Sequence, residues 1–306
     1  MNTREWALIT FTILAQMSVG AFLVLGVIHA LARRAKGEVE TDRLSDKALL
    51  AIGPALVLGM AASLLHLGSP MNAYGAVANL ASSWLSREIT AGVAFAVLGA
   101  AFALMQWKKV ASFAVRQLVA YVAALAGVAL VYSMGQVYML AAQPSWSSIA
   151  TPTSFFATTF LLGSLALGSA FVAAYWIERA KDPGCAASLC ELLRTSLRWI
   201  ALLSMMMLGV EFVVLPVYLA SLATGPAAGV ASLAMLAGQF GVAFGARLVL
   251  VFLGAGVLGL FLHQLTSNPR REAAMASLTL AAFGLVLVSE VVGRFLFYAT
   301  HVKVGL

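Results

Sequence analysis

Two ionisable side chains flank one short loop between two apolar segments. His66 lies near the end of the first segment, in SLLHLGSP, and Glu88 opens the second, in SREI. Only 10% of the residues are charged, so ionisable groups beside long apolar segments need a specific reason. Neutral imidazole hydrogen-bonds an oxygen and titrates near neutral pH, and a carboxylate accepts a proton. The pair is therefore suited to proton-coupled chemistry.

Tyr74 lies in the loop between them, and further polar side chains lie within other apolar segments, namely Gln16, Glu211, Arg247, Glu290 and Arg294. A site that oxidises a lipid-soluble hydroquinone needs a hydrogen-bond partner for the ring oxygen and a proton acceptor. It also needs an apolar slot between helices with a few polar groups. These residues fit that chemistry. Transporters use similar groups, so the residues by themselves indicate only a class of function.

The composition places these residues in a membrane. The protein has 306 residues, 62% of them hydrophobic, and its mean hydropathy is +0.95. A soluble domain is about half apolar and a quarter charged. The alternating pattern of a membrane β-barrel is absent, which leaves a bundle of helices. We therefore predict one all-α, polytopic domain over residues 1–306.

Eight apolar segments are long enough to cross a bilayer at roughly 20 residues per crossing. Their predicted bounds are Trp6–Leu31, Ala48–Leu67, Glu88–Trp107, Gln117–Leu140, Thr153–Ile177, Leu197–Leu219, Gly238–Leu262 and Ala273–Tyr298. The first segment is too long for a signal peptide, so we interpret it as a retained helix. Pro144, Pro152 and Pro226 predict turns in the fourth and sixth connections.

The loop charges predict the orientation. The first, third, fifth and seventh connections hold 14 of the 19 Lys and Arg residues. Basic loops stay in the cytoplasm, so both termini and the loop between His66 and Glu88 are predicted on the outer, periplasmic side of the inner membrane. The net charge of +7 therefore reflects topology, and it does not indicate binding to nucleic acid.

With this orientation, the ionisable groups at membrane depth all fall in the outer half of the bilayer. Charged groups there cost several kcal/mol unless they are paired or face a cavity, so we expect one pocket open to the outer side. Two structural interpretations stay open. Glu290 and Arg294 are spaced to form a pair within one helix, and Glu211 and Arg247 could form a pair between two helices.

Cysteine usage limits the redox groups that this protein can hold. Cys185 and Cys190 lie in one polar loop and are the only cysteines. An iron–sulfur cluster normally needs four thiolates, so we expect no cluster and no other metal site. A disulfide between them is disfavoured if their loop is cytoplasmic.

Several stretches of the sequence resemble one protein family. They are HLGSPMNAY (His66–Tyr74), WLSREI (Trp84–Ile89), WSSIATPTSFF (Trp146–Phe156), SEVVGRFLFYATHVKVG (Ser289–Gly305) and WALITFTILAQMSVGAF (Trp6–Phe22). With these motifs, the protein resembles the membrane anchor subunit of dimethyl sulfoxide reductase-type molybdoenzymes over nearly its whole length. HLGSP followed about twenty residues later by LSREI is the most specific feature.

The resemblance implies a role in anaerobic respiration. A family member anchors a molybdopterin subunit and a four-cluster, ferredoxin-like iron–sulfur subunit, and it oxidises menaquinol for them. The resemblance places the quinol-site histidine and glutamate on His66 and Glu88 and implies that this protein carries no haem. Gln16, Tyr74, Arg247, Glu290 and Arg294 are further candidates for the wall of the quinol site.

Two other classes of function remain open from the residues. A di-haem cytochrome b-type quinol oxidoreductase would need paired axial histidines, for which the sequence offers His29, His66, His263 and His301. A proton-coupled transporter could use Glu211, Arg247 and Glu290 as a relay. Transporters often show inverted repeats, and we find none in this sequence.

Overall fold

The computed structural model describes residues 3–36, 46, 49, 53–54, 57–58, 78–181, 187–265 and 272–304. His66, Tyr74 and Cys185 lie outside the described residues, as does most of the predicted segment Ala48–Leu67. Of the predicted quinol-site residues, the structure therefore describes Gln16, Glu88, Arg247, Glu290 and Arg294.

The described parts of the protein are helical and contain no strand. The helices are α1 (Thr3–Lys36), α2 (Trp84–Lys108), α3 (Phe113–Val137), α4 (Ala150–Lys181), α5 (Ala187–Ala223), α6 (Ala227–Ala237), α7 (Gly241–Val251), α8 (Gly259–Leu265) and α9 (Glu272–Ala299). Within the described ranges, seven helical stretches are long and apolar enough to cross a membrane. Because lipid offers no hydrogen bonds, an apolar polypeptide satisfies its backbone groups within helices. The predicted all-α membrane class is confirmed.

The helices extend beyond the predicted apolar segments. Helix α1, for example, begins at Thr3 and continues to Lys36, whereas hydropathy predicts Trp6–Leu31. A helix ends where its backbone is capped rather than where its side chains turn polar. The Ser83 hydroxyl accepts a hydrogen bond from the Ser86 backbone N–H at the start of α2, at 3.3 Å.

The connection after α5 was predicted to be a loop, but it contains a helix. Residues Ala227–Ala237 form α6, an apolar helix that follows Pro226 at its N-cap position. Alanine has the highest helix propensity, and proline is tolerated at a helix start. For the same reason Pro152, predicted at a turn, lies instead in the first turn of α4.

A π-helical segment, Phe252–Leu258, joins α7 to α8 within one membrane-spanning stretch. It packs closely on α9, since a Cβ added to Gly254 would lie 2.8 Å from Val286 Cγ2. Segments of this kind are rare and occur often at functional sites. Here the segment follows the helix that carries Arg247.

The centre of the bundle is formed by α1, α4 and α9, which contact one another. Helices α2 and α3 pack together on one side, and α5 with the α7–α8 stretch packs on the other. Helices α1 and α4 approach most closely at Gly20 and Gly163, where a Cβ on either glycine would overlap the backbone of the other helix. Small residues allow such close approach of membrane helices. This crossing positions Gln16 on α1 and Thr158 on α4, each close to it along its helix.

Candidate functional site

Arg247 on α7 lies between two buried carboxylates from neighbouring helices. Its Nη2 donates to Glu211 Oε2 on α5 at 3.3 Å and lies 3.6 Å from Glu290 Oε1 on α9. The Glu211 and Glu290 side chains are only 8% and 3% exposed. A buried carboxylate needs a nearby cation or hydrogen-bond donors, and one guanidinium serves both. The pair between Glu211 and Arg247, left open by the sequence, is present.

Glu290 has a second polar partner from α4. The Thr158 hydroxyl donates to Glu290 Oε2 at 2.6 Å, and both residues are buried. Two neighbouring helices, α4 and α7, therefore hold the Glu290 carboxylate through direct contacts. Thr158 was not predicted, because one threonine in an apolar helix carries no signal of its own partner.

Gly293 provides the space for the Arg247 side chain. A Cβ on Gly293 would overlap Arg247 Nε and would lie 3.0 Å from both its Cδ and Cζ. The arginine side chain thus packs directly on the backbone of α9. Its backbone is held to the same helix, because the Ser289 hydroxyl donates to the Arg247 carbonyl oxygen at 2.9 Å.

Arg294 is directed away from Glu290, although the two residues are four apart on α9. Its Nη2 donates to Gln16 Oε1 on α1 at 2.9 Å, and its guanidinium lies 3.8 Å from the centre of the Phe155 ring on α4. Arg294 and Gln16 are 6% and 0% exposed. The intrahelical pair that the spacing allows is therefore not the one the structure forms.

A cavity of about 120 Å³ lies between α4, α5, α7 and α9. Its charged lining residues are Glu211, Arg247, Glu290 and Arg294. The rest of its wall combines hydroxyl groups, such as that of Thr158, with apolar side chains, such as those of Leu215 and Phe244. The cavity therefore places charged groups next to an apolar space.

Glu88 lies on the other side of the bundle, in the first turns of α2, and is 9% exposed. Its carboxylate interacts electrostatically with the phenols of Tyr138 and Tyr298, whose hydroxyl oxygens are 2.6 Å apart. Burial raises the pKa of Tyr138, which follows the last residue of α3, well above its ordinary value. Tyr138 is therefore a neutral hydrogen-bonding group.

Tyr298 connects the two groups of residues. It interacts electrostatically with Arg294 as well as with Glu88, and it lies one turn after Arg294 on α9. The two groups of residues are thus coupled electrostatically through Tyr298 and Arg294, while their hydrogen bonds form separate sets.

Aromatic side chains cover this end of the bundle. The Trp146 indole N–H donates to the Phe297 carbonyl oxygen at 2.8 Å, and its ring stacks on His301 with centroids 4.8 Å apart. Arg87 donates to the Leu80 carbonyl oxygen at 2.8 Å and stacks on the Trp84 ring. These contacts tie loop and terminal residues to the helix ends.

The arrangement offers buried hydroxyl, amide and carboxylate groups beside an apolar cavity. The two carboxylates Glu211 and Glu290 both lie against the Arg247 guanidinium. Glu88 is the exception, because among the described residues no cation forms an ion pair with it.

Comparison with known families gives one match that spans the sequence. Residues 1–300 match the family model described as "DMSO reductase anchor subunit (DmsC)". The protein is 32% identical to the C subunit of anaerobic dimethyl sulfoxide reductase of Escherichia coli K12, over 99% of this sequence and 97% of that one. It is 29% identical to the YnfH subunit of anaerobic dimethyl sulfoxide reductase of the same strain, over 99% and 97% of the two sequences.

A solved structure shares the fold. The bd oxidase structure from Geobacillus thermodenitrificans superposes with a TM-score of 0.67, covering 96% of this protein and 84% of the oxidase subunit. The two sequences are 13% identical, so this likeness concerns the arrangement of helices alone.

Proposed function

The protein belongs to the family of dimethyl sulfoxide reductase anchor subunits, and from this premise we propose that it is the menaquinol-oxidising subunit of its complex. The resemblance expected from the sequence motifs is thereby confirmed, as is the multi-pass inner-membrane location. The family membership makes the protein the membrane anchor of a reductase complex.

The main support for this proposal is the environment of Glu88. Its carboxylate is buried and interacts electrostatically with two phenols that hydrogen-bond each other, and no cation among the described residues forms an ion pair with it. A buried carboxylate of this kind can take up a proton without breaking an ion pair. In the proposal, Glu88 accepts one proton from the quinol, His66, across the outer loop, hydrogen-bonds the second ring oxygen, and both protons are released to the outer side.

The electrons leave through a partner subunit. The proposed acceptor is a four-cluster, ferredoxin-like iron–sulfur subunit docked on the outer face, which passes electrons to a molybdopterin catalytic subunit. Gln16, Arg247, Glu290 and Arg294 support the site from the same end of the bundle, and Tyr74 is a further candidate in the loop. In this role the charged network fixes the helices around the quinol.

The test replaces the two central residues, one at a time. Glu88→Gln keeps the shape of the side chain but removes the proton acceptor, and His66→Ala removes the imidazole. We expect each variant to lose at least about 100-fold in quinol-dependent turnover while the complex still assembles in the membrane. Turnover of the same complex with an artificial donor that bypasses the anchor should be unchanged.

Glu5→Gln is the matched control, because it makes the same change near the predicted outer end of α1, outside the proposed site. It should retain wild-type turnover. Wild-type quinol-dependent activity in Glu88→Gln or in His66→Ala would refute the assignment of that residue.

A further inference from the structure

The carboxyl groups of Glu211 and Glu290 come together between α5, α7 and α9. Both lie against one atom, Arg247 Nη2, with Glu211 Oε2 at 3.3 Å and Glu290 Oε1 at 3.6 Å. The two carboxyl groups also lie within hydrogen-bonding range of each other. Their side chains are buried, and charges repel each other more strongly in a buried site than in water. Two ionised carboxylates are therefore unfavourable in this position.

Each of the two carboxyl groups has one buried oxygen that accepts no hydrogen bond from the described residues. These atoms are Glu211 Oε1 and Glu290 Oε1. The other oxygens have donors, since Arg247 donates to Glu211 Oε2 and the Thr158 hydroxyl donates to Glu290 Oε2. A buried acceptor without a donor costs free energy. A protonated carboxyl group has an O–H that a carboxylate can accept, so one proton between the two groups would satisfy both oxygens.

The other ionisable groups around the pair have different close partners. Arg294 acts on both carboxyl groups at longer range, because its Nη2 donates to Gln16 and its guanidinium lies over the Phe155 ring. The Tyr218 hydroxyl donates to the Ser145 carbonyl oxygen at 3.2 Å. Helices α4 and α6 contribute no titratable side chain to the described cavity wall. Arg247 is thus the cation in direct contact with both acids.

The part of the chain outside the described residues on the predicted outer side adds no competing charged side chain. Residues 59–77 contain no Lys, Arg, Asp or Glu. Their titratable side chains are His66 and Tyr74. The direct contacts of the pair therefore determine how it is protonated.

The cavity of about 120 Å³ gives the pair a route for proton exchange. It extends from Ser145, in the connection after α3, to Thr158 and Glu290. The Ser145 hydroxyl is buried and has no hydrogen-bond partner among the described residues. A water molecule needs about 10 to 15 Å³ of such space and two to four polar partners. The cavity therefore has room and hydrogen-bonding groups for water beside the two acids.

We propose that Glu211 and Glu290 together bind one exchangeable proton at neutral pH. The proton forms a hydrogen bond between the two carboxyl groups, and the remaining negative charge pairs with Arg247. Such a unit costs less free energy within a membrane than two ionised acids on one cation. The inference does not depend on the proposed quinol site, since none of these contacts involves Glu88 or His66.

Infrared spectroscopy of the full-length protein in mild detergent tests the proposal. A protonated carboxyl group has a C=O stretching band that a carboxylate lacks. Glu211→Gln and Glu290→Gln should each remove the same band completely, because the acid that remains is then ionised and paired with Arg247 alone. In D₂O the wild-type band should move to lower frequency, as the exchangeable O–H becomes O–D.

Glu191→Gln is the matched control, because it makes the same change at an exposed position on α5. It should keep the band. Glu88→Gln should keep it as well, so a failure of this proposal and a failure of the quinol site can be distinguished. Thr158→Val keeps both acids and removes the donor to Glu290 Oε2, so it should keep the band but change its frequency. This variant tests the proposal even if a glutamine variant does not fold.

The proposal would be overturned if the wild type has no band that the glutamine variants remove. That result would mean that water, rather than a proton, bridges two ionised carboxylates. Loss of different bands in Glu211→Gln and Glu290→Gln would mean two separately protonated acids and would contradict the shared proton. An unshifted band in D₂O, or a wild-type spectrum in Thr158→Val, would contradict it too.

Discussion

At the scale of single residues, spatial contact rather than sequence spacing decides the partners in the cluster of Glu211, Arg247, Glu290 and Arg294. Arg247 contacts two carboxylates, while Arg294 donates to an amide and lies on an aromatic ring. A guanidinium has five N–H donors, so it can serve several acceptors from different helices. The cluster therefore links α1, α4, α5, α7 and α9 through polar contacts that exclude alternative helix rotations.

Thr158 is one such contact, and its removal should be measurable. Thr158→Val keeps the shape but removes the donor to Glu290, so we expect the free energy of unfolding to fall by about 1 to 2 kcal/mol. Thr158→Ser keeps the hydroxyl and should lose less. Thermal unfolding of the purified protein in detergent measures the difference. Equal stability of the valine variant and the wild type would contradict the role of this hydrogen bond.

Gly293 is predicted to be required for stability, because the Arg247 side chain occupies the space that a larger residue would need. Gly293→Ala should displace the guanidinium from Glu211 and Glu290 and lower the free energy of unfolding by about 1 to 3 kcal/mol. Gly284→Ala on the same helix is the control, since a Cβ there meets no atom within 4 Å. Alanine is favoured over glycine inside a helix by up to about 1 kcal/mol, so the control should be as stable as the wild type or more so. The same unfolding assay compares the two.

At the scale of elements, the crossing of α1 and α4 determines where the polar groups meet. Gly20 and Gly163 allow backbone contact between these helices. Gln16 and Thr158, close to this contact, then reach Arg294 and Glu290 on α9. A wider crossing would move both side chains away from α9 and leave buried polar groups without partners.

Gly20→Ala tests this crossing. The added methyl group would overlap the Thr159 carbonyl oxygen, so α1 and α4 must separate and the free energy of unfolding should fall by about 1 to 3 kcal/mol. Gly26→Ala on the same helix adds a methyl group in open space and should have no such effect. If both variants unfold at the same temperature, the close crossing does not stabilise the fold.

At the scale of the whole molecule, the two ends of the bundle have different chemistry. The predicted outer end carries the ion pairs of Arg247, the buried Glu88 and the aromatic cover, while the predicted inner end carries basic loops and a cavity of about 330 Å³ between α1, α2 and α3. In the proposed function, electrons and protons from quinol both leave at the outer end. The oxidation step should therefore transfer no net charge across the membrane.

This electroneutrality can be measured in liposomes that contain the complex with its outer face exposed to the medium. With quinol in the membrane and an impermeant ferric complex as outer oxidant, protons should appear outside while a voltage-sensitive dye stays silent. Ferric oxidants take up no protons, so the external acidification should equal about two protons per quinol. A dye signal of an inside-positive potential would mean that protons leave on the inner side instead.

Several features of this protein were determined by its sequence alone. The apolar composition predicted a helical membrane protein, and the motifs around His66, Glu88 and Trp146 predicted the family, both of which are confirmed. The hydropathy of a segment depends only on its own residues, so a membrane helix can be located without knowledge of the helices that pack against it. Gln16 and Glu290 lie buried within the bundle, as expected for polar residues that an apolar helix places at membrane depth.

Only the tertiary structure decided which of these residues are partners. Arg294 pairs with Gln16 rather than with Glu290, and Arg247 joins two carboxylates. Helix α6 and the π-helical segment were likewise not predicted. The physical reason is that a buried charged side chain has several possible partners of similar strength. The rotation of each helix and the distance between helix backbones decide which partner it can reach. Glycines such as Gly293 allow neighbouring helices to come close together. Their role cannot be predicted from the sequence because it depends on which residue lies opposite them in space.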